Sequence, residues 1–352
     1  MSESLTIMTR SQADAVLADL DLEAAIKGQA DVFAAYSAGG TKPGPDGVAP
    51  IQTPMRHVLG SPEMNMLFMP ARAVDKTSIK IVSVPKKGGD GLPGSTVILD
   101  EVTGRVRAII NARRLTAFRN AAGSVLSYRA IGKNQQPKRL VLFGAGGQAD
   151  AHALFFAKTY PSIKELVVVS RRSTPRSTAL VAKLTKLFPA VAVSEGIASY
   201  PDEEFDLSAA IAGADIIVTM TSSTKALFAA KDVKAGAHIV LVGSYKPEMR
   251  EVEDALIQRA GVILVDSQEA CGHEAGELQN VPADKLIEIG AVVTGSDAAK
   301  AELSRFDKSD ISVFKSVGLG VQDVAIASLV LDQAEAKGLV SKVEDYDAEG
   351  DE

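Results

Sequence analysis

Residues 140–152, LVLFGAGGQADAH, contain a glycine-rich turn between an apolar run and a helical pattern. A strand followed by GxGxxA and then a helix is typical of dinucleotide binding. The first glycine permits the turn, the second admits a pyrophosphate, and the alanine keeps helix and strand close. The helix N-terminus offers unpaired N–H groups to the phosphates. We predict that this turn binds a dinucleotide through Gly144, Gly146, Gly147, Gln148 and Ala149; a ligand-free connection is the alternative.

The pattern around this turn predicts the fold class. Short β-branched runs (RLVLF, ELVVVS, ADIIVTM, AHIVLVG, GVILVD) alternate with helical stretches, which is typical of a doubly wound parallel sheet. We therefore predict an α/β chain with a Rossmann domain at residues 136–314. Residues 1–135 and 315–352 form a second domain of α+β type. In it, the first 40 residues look helical, with Ser11 as a predicted helix cap, and short β-type runs follow.

The end of the second Rossmann strand indicates which dinucleotide binds. An NAD-binding domain usually carries Asp or Glu about 20 residues beyond the glycines, where it accepts from the ribose 2′-hydroxyl. This chain has Ser170, Arg171 and Arg172 at that point. Two guanidiniums can bind a 2′-phosphate, so we predict NADPH rather than NADH. The alternative is that both arginines only cover a solvated loop.

Bulk properties exclude several function classes. The 352 residues carry 38 basic and 44 acidic side chains, a net charge of −6, which gives no support to binding nucleic acid or an anionic membrane. No apolar run approaches the roughly 18 residues of a membrane span. The single cysteine, Cys271, cannot form an intrachain disulfide, so we predict a cytoplasmic protein. The four histidines lack zinc-site spacing, and no metal is predicted.

Three isolated cations lie outside the predicted Rossmann domain. Arg119 follows the start of a helix, where a guanidinium adds to the positive helix end and suits a carboxylate. Lys80 lies in the middle of an apolar strand, where an ammonium is costly unless it faces a cleft or a partner. Arg56 is the third. Taken singly, each is more often a surface charge than a ligand-binding group.

Taken together, these stretches resemble the ornithine cyclodeaminase/mu-crystallin family from about residue 10 to 338. The segments that carry the resemblance are PMRHVLG, SIKIVSVP, GSTVILDEVTGRVRAI, LTAFRNAAGSVLS, VLFGAGGQADAHALF, GAHIVLVGSYKPEMREV, DSQEACGHEAGEL and FKSVGLGVQDVA. The resemblance implies that the second domain binds substrate, is completed by the C-terminal helix, and forms a homodimer. It also implies hydride transfer between a nicotinamide and an α-imino or α-amino acid.

The resemblance also assigns site residues. Arg56, Lys80 and Arg119 fall where the family binds the substrate carboxylate, and Lys80 and Arg119 are the predicted catalytic residues. Gly318 falls in the segment that closes the substrate pocket. Further predicted coenzyme contacts are Thr96, Arg119, Asn120 (in place of the family's usual threonine), Thr219, Thr221, Gly243, Tyr245 and Ser316.

One departure separates the activities within this family. Cyclodeaminases carry an aspartate where this chain has Tyr245, and a phenol is a poor general base at neutral pH. Reduction of an already formed imine needs less acid–base help, so we predict a reductase of cyclic ketimines or related α-imino acids. The alternatives are an ornithine or lysine cyclodeaminase with bound NAD, an alanine dehydrogenase-like enzyme, and a non-catalytic crystallin-like binding protein. We expect Asp323 to fix the C-terminal helix, as an N-cap or an ion-pair partner.

Overall fold

The computed structural model describes residues 4–87, 92–131, 134–198, 205–305 and 310–346. The chain divides into two compact units. The discontinuous unit comprises Met1–Arg119 and Leu319–Glu352, and the central unit comprises Asn120–Gly318. The central unit thus begins earlier than residue 136, the start of the predicted Rossmann domain, and ends slightly beyond residue 314.

The described residues form sixteen strands, of which the two longest lie in the discontinuous unit. In chain order they are β1 (Leu5–Met8), β2 (Ile51–Gln52), β3 (His57–Gly60), β4 (Met64–Ala73), β5 (Lys76–Pro85), β6 (Gly94–Leu99), β7 (Val106–Asn111), β8 (Arg139–Phe143), β9 (Glu165–Ser170), β10 (Ala192–Ile197), β11 (Ile216–Thr219), β12 (His238–Leu241), β13 (Val262–Val265), β14 (Leu286–Glu288), β15 (Ser312–Lys315) and β16 (Ser341–Val343).

The α-helices connect these strands and cover the sheets. They are α1 (Arg10–Ala18), α2 (Leu22–Ala35), α3 (Leu115–Ile131), α4 (Gly147–Thr159), α5 (Pro175–Leu187), α6 (Leu207–Gly213), α7 (Asp254–Arg259), α8 (Gln268–Glu274), α9 (Ile289–Val292), α10 (Asp297–Ser304) and α11 (Gly320–Ala336). Within the described residues, no helix combines the length and the hydropathy that a membrane span requires.

The central unit contains a parallel sheet with the strand order β10-β9-β8-β11-β12-β15-β13-β14. Its inner strands are buried on both faces, as their continuous apolar runs require. The strand order reverses between β8 and β11. Ligands of doubly wound sheets bind outside the carboxyl ends of the strands at such a reversal. The Rossmann prediction is confirmed.

The discontinuous unit contains a mixed sheet in the order β16-β1-β7-β6-β5-β4-β2, with β3 added to β4. Residues alternate between a buried face and a partly exposed face along β4 to β7, as the period of a strand dictates. Helix α11 packs on β4, β5 and β6 and against α2. The C-terminal helix therefore completes this α+β unit, as predicted.

The N-terminus differs from the prediction. The helical interpretation of the first 40 residues is wrong for Leu5–Met8, which forms β1 between β7 and β16. Four residues are too few to show a period, and the partner strands are far away in sequence. The cap of α1 is Thr9, whose hydroxyl accepts from the Gln12 amide, so the predicted cap at Ser11 is wrong by two residues.

Candidate active site

Lys80 lies in the middle of β5, on the face that the helices cover. Its register neighbours are Met69 on β4 and Thr96 on β6, and Lys80 and Thr96 are 2% and 1% exposed. A buried ammonium needs a partner. Asp323 of α11 supplies it, because its Oδ2 lies 2.7 Å from Lys80 Nζ. Asp323 is thus an ion-pair partner and not the helix cap, which is Leu319.

Arg119 lies in the early part of α3 and meets the same carboxylate. Its Nε is 3.4 Å from Asp323 Oδ1, and its Nη1 donates to Gln322 Oε1 over 2.9 Å. That oxygen also accepts from the Leu319 amide over 3.0 Å. The first turn of α11 therefore fixes the guanidinium at two points. Gln322 was not predicted from the sequence, because nothing local distinguishes it from any other helical glutamine.

The cluster formed by Lys80, Arg119, Arg56 and Asp323 has more positive than negative charge. Burial lowers the pKa of Lys80 to about 8; Asp323 opposes that shift, and Arg119 and Arg56 add to it by repulsion. The effect of Arg56 is the smaller of these two repulsive contributions. Lys80 and Arg119 thus place two positive charges on one buried carboxylate, an arrangement that can attract an anion. The structure thus brings Lys80 and Arg119 together at Asp323, and the assignment of these residues and Arg56 to a substrate carboxylate site stays a prediction.

The glycine turn of the central unit lies between β8 and α4, in the predicted context. Gly144 has φ +116°, and a Cβ there would come 3.3 Å from the carbonyl oxygen of Met220, so the position requires glycine. Space is open around Gly146 and Gly147, where an added Cβ would meet no atom within 4 Å. The α4 N-terminus has no side-chain cap at Gly146. These features fit a diphosphate on the helix N-terminus.

Gln148 and Ala149 lie in the first turn of α4. Ala149 is 1% exposed, which agrees with close packing of helix on strand. The Gln148 Oε1 atom is buried without a hydrogen-bond partner among the described residues. At the end of β9, Ser170 is partly exposed and Arg171 and Arg172 are exposed, so both guanidiniums are open to solvent.

Three further predicted coenzyme residues are held by a buried carboxylate that the sequence analysis missed. Glu251 accepts from the Thr219 hydroxyl, from the Thr221 amide and hydroxyl, and from the Gly243 amide. Thr219 is fully buried. The signal in the sequence was a carboxylate inside the family-like segment KPEMREV, but its partners lie at the end of β11 and in the loops after β11 and β12.

Ser316 and Gly318 depend on another buried carboxylate. Asp266, directly after β13, accepts from the Ser316 hydroxyl over 2.7 Å and from the Gly318 amide over 2.6 Å. Two other predicted coenzyme residues of the central unit differ in exposure. Asn120 is buried, with 8% of its surface exposed, and Tyr245 is partly exposed with the Lys246 ammonium 5.8 Å from its ring centroid.

Several proteins of known name are similar to this chain. The ketimine reductase mu-crystallin of Mus musculus is 33% identical over 238 residues, which cover 68% of each chain. A Δ1-pyrroline-2-carboxylate reductase of Bacillus cereus is 29% identical over 312 residues, covering 83% of this chain and 89% of the relative. Among solved structures, that of the Thermococcus litoralis Δ1-pyrroline-2-carboxylate reductase in complex with NADH and L-proline has a TM-score of 0.81 at 20% identity. It covers 96% of this chain and all of the other.

The model of the ornithine cyclodeaminase/mu-crystallin family matches residues 9–338. That range includes the glycine turn of the central unit and the cluster of Lys80, Arg119 and Asp323. The chain belongs to the ornithine cyclodeaminase/mu-crystallin family.

Proposed function

We propose that this protein is an NADPH-dependent reductase that converts a cyclic ketimine, or a related α-imino acid, into the corresponding amino acid. The observation that carries the proposal is the buried cluster in which Lys80 and Arg119 share the single carboxylate of Asp323. Such a cluster favours a small carboxylate-bearing substrate. The names of the mouse and Bacillus cereus relatives, both imine reductases, support this reaction class.

The residues of the discontinuous unit bind and orient the substrate. Arg119, held by Gln322 and Asp323, donates to the substrate carboxylate with little loss of side-chain freedom, since its geometry is already fixed. Lys80 and Arg56 add positive charge. A carboxylate held in this way restricts the orientation of the imine, which is the main requirement for hydride transfer. The reduced nicotinamide supplies the hydride.

Lys80 can also hold the proton that the reaction needs. Reduction of C=N adds one hydride to carbon and leaves the nitrogen with one more proton. With its pKa lowered to about 8, Lys80 Nζ releases a proton more readily than an exposed lysine does. No carboxylate stands at position 245 to activate an amine, so the chain is better equipped for reduction than for deamination.

In the central unit, the glycine turn and α4 bind the coenzyme diphosphate, and Arg171 and Arg172 bind the 2′-phosphate of NADPH. Thr96, Asn120 and Tyr245 remain proposed coenzyme contacts, and Gly318 a proposed part of the substrate pocket. The support for NADPH is electrostatic: two exposed guanidiniums follow β9, and Ser170 stands where a ribose-binding acid would lie.

The decisive experiment measures oxidation of NADPH and of NADH with 1-piperideine-2-carboxylate, Δ1-pyrroline-2-carboxylate, and pyruvate with added amine. We expect the cyclic imines to be reduced with a preference for NADPH. Release of ammonia from ornithine without added reductant would instead identify a cyclodeaminase. Turnover of no imino acid with either coenzyme would refute the reductase proposal.

The pKa of Lys80 predicts that the affinity for an anion falls at alkaline pH, and we call this decrease the alkaline limb of the pH profile. Above about pH 8 the ammonium loses its proton in the free protein, so affinity for a substrate-like carboxylate falls as pH rises. A bound carboxylate stabilises the ammonium and raises its pKa, so the limb lies at higher pH once the site is occupied. Titration calorimetry with pyrrole-2-carboxylate, whose ring does not ionise in this range, measures the effect at saturating coenzyme.

The matched variant is Lys80→Arg, because a guanidinium stays charged throughout this range. We expect the alkaline limb to disappear in Lys80→Arg even if the affinity at pH 7 is lower. A limb of unchanged position in that variant would show that another group titrates.

We also propose that the protein forms a homodimer through the outer face of the mixed sheet. One row across five strands on this face consists of apolar side chains that are only partly covered: Pro70, Ile79, Val97, Ile109 and Ile7. A solvated sheet face normally carries polar residues.

The cytoplasm remains the predicted location, supported by the buried free thiol of Cys271.

The dimer proposal predicts that Val97→Glu raises the dimer dissociation constant by about a hundredfold, because two carboxylates would be buried across a symmetric interface. Sedimentation velocity measures the outcome. The control is Val102→Glu in the turn after β6, where the side chain is 89% exposed. A Val97→Glu protein that sediments like the unaltered chain would exclude this face as the interface.

A further inference from the structure

Glu251 is a completely buried carboxylate whose two oxygens both accept hydrogen bonds. Its Oε2 accepts from Thr219 Oγ1 over 2.7 Å and from the Gly243 amide over 2.8 Å. Its Oε1 accepts from the Thr221 amide over 2.6 Å and from Thr221 Oγ1 over 2.7 Å. Each oxygen therefore accepts one hydrogen bond from a backbone amide and one from a threonine hydroxyl.

These donors belong to two loops at the carboxyl edge of the parallel sheet. Thr219 ends β11 and Thr221 follows it, whereas Gly243 lies just after β12. Between the two threonines, the Met220 carbonyl oxygen lies against Gly144 of the glycine turn. Glu251 is therefore hydrogen-bonded to the residues before and after Met220, whose carbonyl oxygen lies against the proposed diphosphate turn. This point is the reversal of strand order, where ligands of such sheets bind.

The contact between the two loops is close. A Cβ at Gly243 would lie 2.1 Å from the Thr221 carbonyl oxygen and 2.4 Å from Glu251 Oε1. Glycine is required here because any side chain would separate the β12 loop from the carboxylate. The position of one loop is thus tied to that of the other through Glu251.

A second buried carboxylate, Glu277, supports the first. The Glu251 amide donates to Glu277 Oε1 over 2.7 Å, and the Ser244 hydroxyl donates to Glu277 Oε2. Lys315 of β15 donates to the Ser244 carbonyl oxygen over 2.6 Å, and its Nζ is 3.7 Å from Glu277 Oε2. Burial raises the pKa of Glu251, and the positive charge of Lys315 opposes that shift. The same charge offsets part of the cost of two buried carboxylates.

We propose that Glu251 is a positioning residue for the coenzyme: it fixes the loops after β11 and β12 against the glycine turn. It acts through Thr221, Gly243 and the Met220 peptide, because both of its carboxylate oxygens are already occupied by donors of the protein. The proposal rests on the proposed coenzyme site of the central unit.

The substitution Glu251→Gln tests the carboxylate with almost no change in shape. Each oxygen of Glu251 faces one backbone amide, Thr221 on Oε1 and Gly243 on Oε2. The NH₂ group of glutamine therefore meets an N–H donor in either orientation, and one loop loses its anchor. Hydroxyl groups can rotate to compensate, but backbone amides cannot.

The experiment measures the dissociation constant of NADPH by its fluorescence, without imine, for the wild-type protein and for Glu251→Gln. We expect the constant to rise by about tenfold to a hundredfold, the range for loss of a charge-assisted hydrogen bond. At saturating NADPH the KM for imine should stay near wild type, a split that general destabilisation would not produce. The control Glu248→Gln, on the exposed part of the same segment, should bind NADPH like wild type.

Wild-type affinity for NADPH in folded Glu251→Gln would overturn the proposal. If that variant does not fold, Thr219→Val removes one donor to Glu251 and should raise the dissociation constant of NADPH about threefold. An unchanged dissociation constant in Thr219→Val would also overturn the proposal. Loss of NADPH binding in the variant, with no imine reduced by wild type, would refute the reductase while supporting the positioning role. A wild-type protein that binds neither coenzyme would refute both.

Discussion

Replacement of Arg119 by alanine is expected to lower kcat/KM for the imino acid by about a thousandfold, the equivalent of the roughly 3–5 kcal/mol lost when a buried charge pair is broken. The substrate carboxylate loses the guanidinium that Gln322 and Asp323 hold in place. The KM should rise and kcat should also fall, because a substrate that is free to turn loses its near-attack geometry. Steady-state kinetics at saturating coenzyme measure both.

The matched control is Arg107→Ala, which removes a guanidinium from β7 of the same sheet. Arg107 is about half exposed and pairs with Glu335 at the surface, where such pairs contribute little. The Arg107→Ala protein should therefore keep wild-type kcat and KM. Wild-type kinetics in Arg119→Ala, with its thermal stability unchanged, would remove Arg119 from the substrate site.

The second large effect concerns coenzyme choice. Simultaneous replacement of Arg171 and Arg172 by alanine should reduce kcat/KM for NADPH by about a hundredfold, since two charge-assisted contacts to the 2′-phosphate are lost at an exposed site. The value for NADH should stay the same, because that coenzyme has no 2′-phosphate. The ratio of the two values, measured with one imine, isolates this contact from general damage.

The double variant Lys164→Ala/Lys186→Ala makes the same change in net charge elsewhere in the central unit. Both lysines are exposed; Lys164 precedes β9 and Lys186 lies in the last turn of α5. It should leave the coenzyme ratio unchanged. An equal decrease in kcat/KM for NADPH and for NADH in the arginine variant would mean that the arginines do not bind the 2′-phosphate.

The fold could be predicted from the sequence because its signals are local. The glycine turn, the apolar strands and their alternation with helices each lie within a short segment, and the structure confirms the parallel sheet that they indicate. The strand Leu5–Met8 was missed, because its stability depends on pairing with β7 and β16, and no local pattern reveals a distant partner.

The candidate site was predictable only in part. The three cations were visible as charges in unusual positions and gained a common role through the family resemblance. Asp323 was visible as a structural charge, but its two partners are more than two hundred residues away in sequence. The roles of Glu251 and Glu277 were harder still to predict from the sequence. A carboxylate outside the regular strands and helices looks exposed until the strands that bury it are placed.

The order in which the chain is made has a consequence for the discontinuous unit. Lys80 and Arg119 leave the ribosome first, the whole central unit follows, and only then comes α11 with Asp323. Until that last helix is synthesised, Lys80 of β5 and Arg119 of α3 lack the Asp323 carboxylate that contacts both of them. A chain terminated before Leu319 would hence carry every residue of the central unit and none of the helix that carries Asp323.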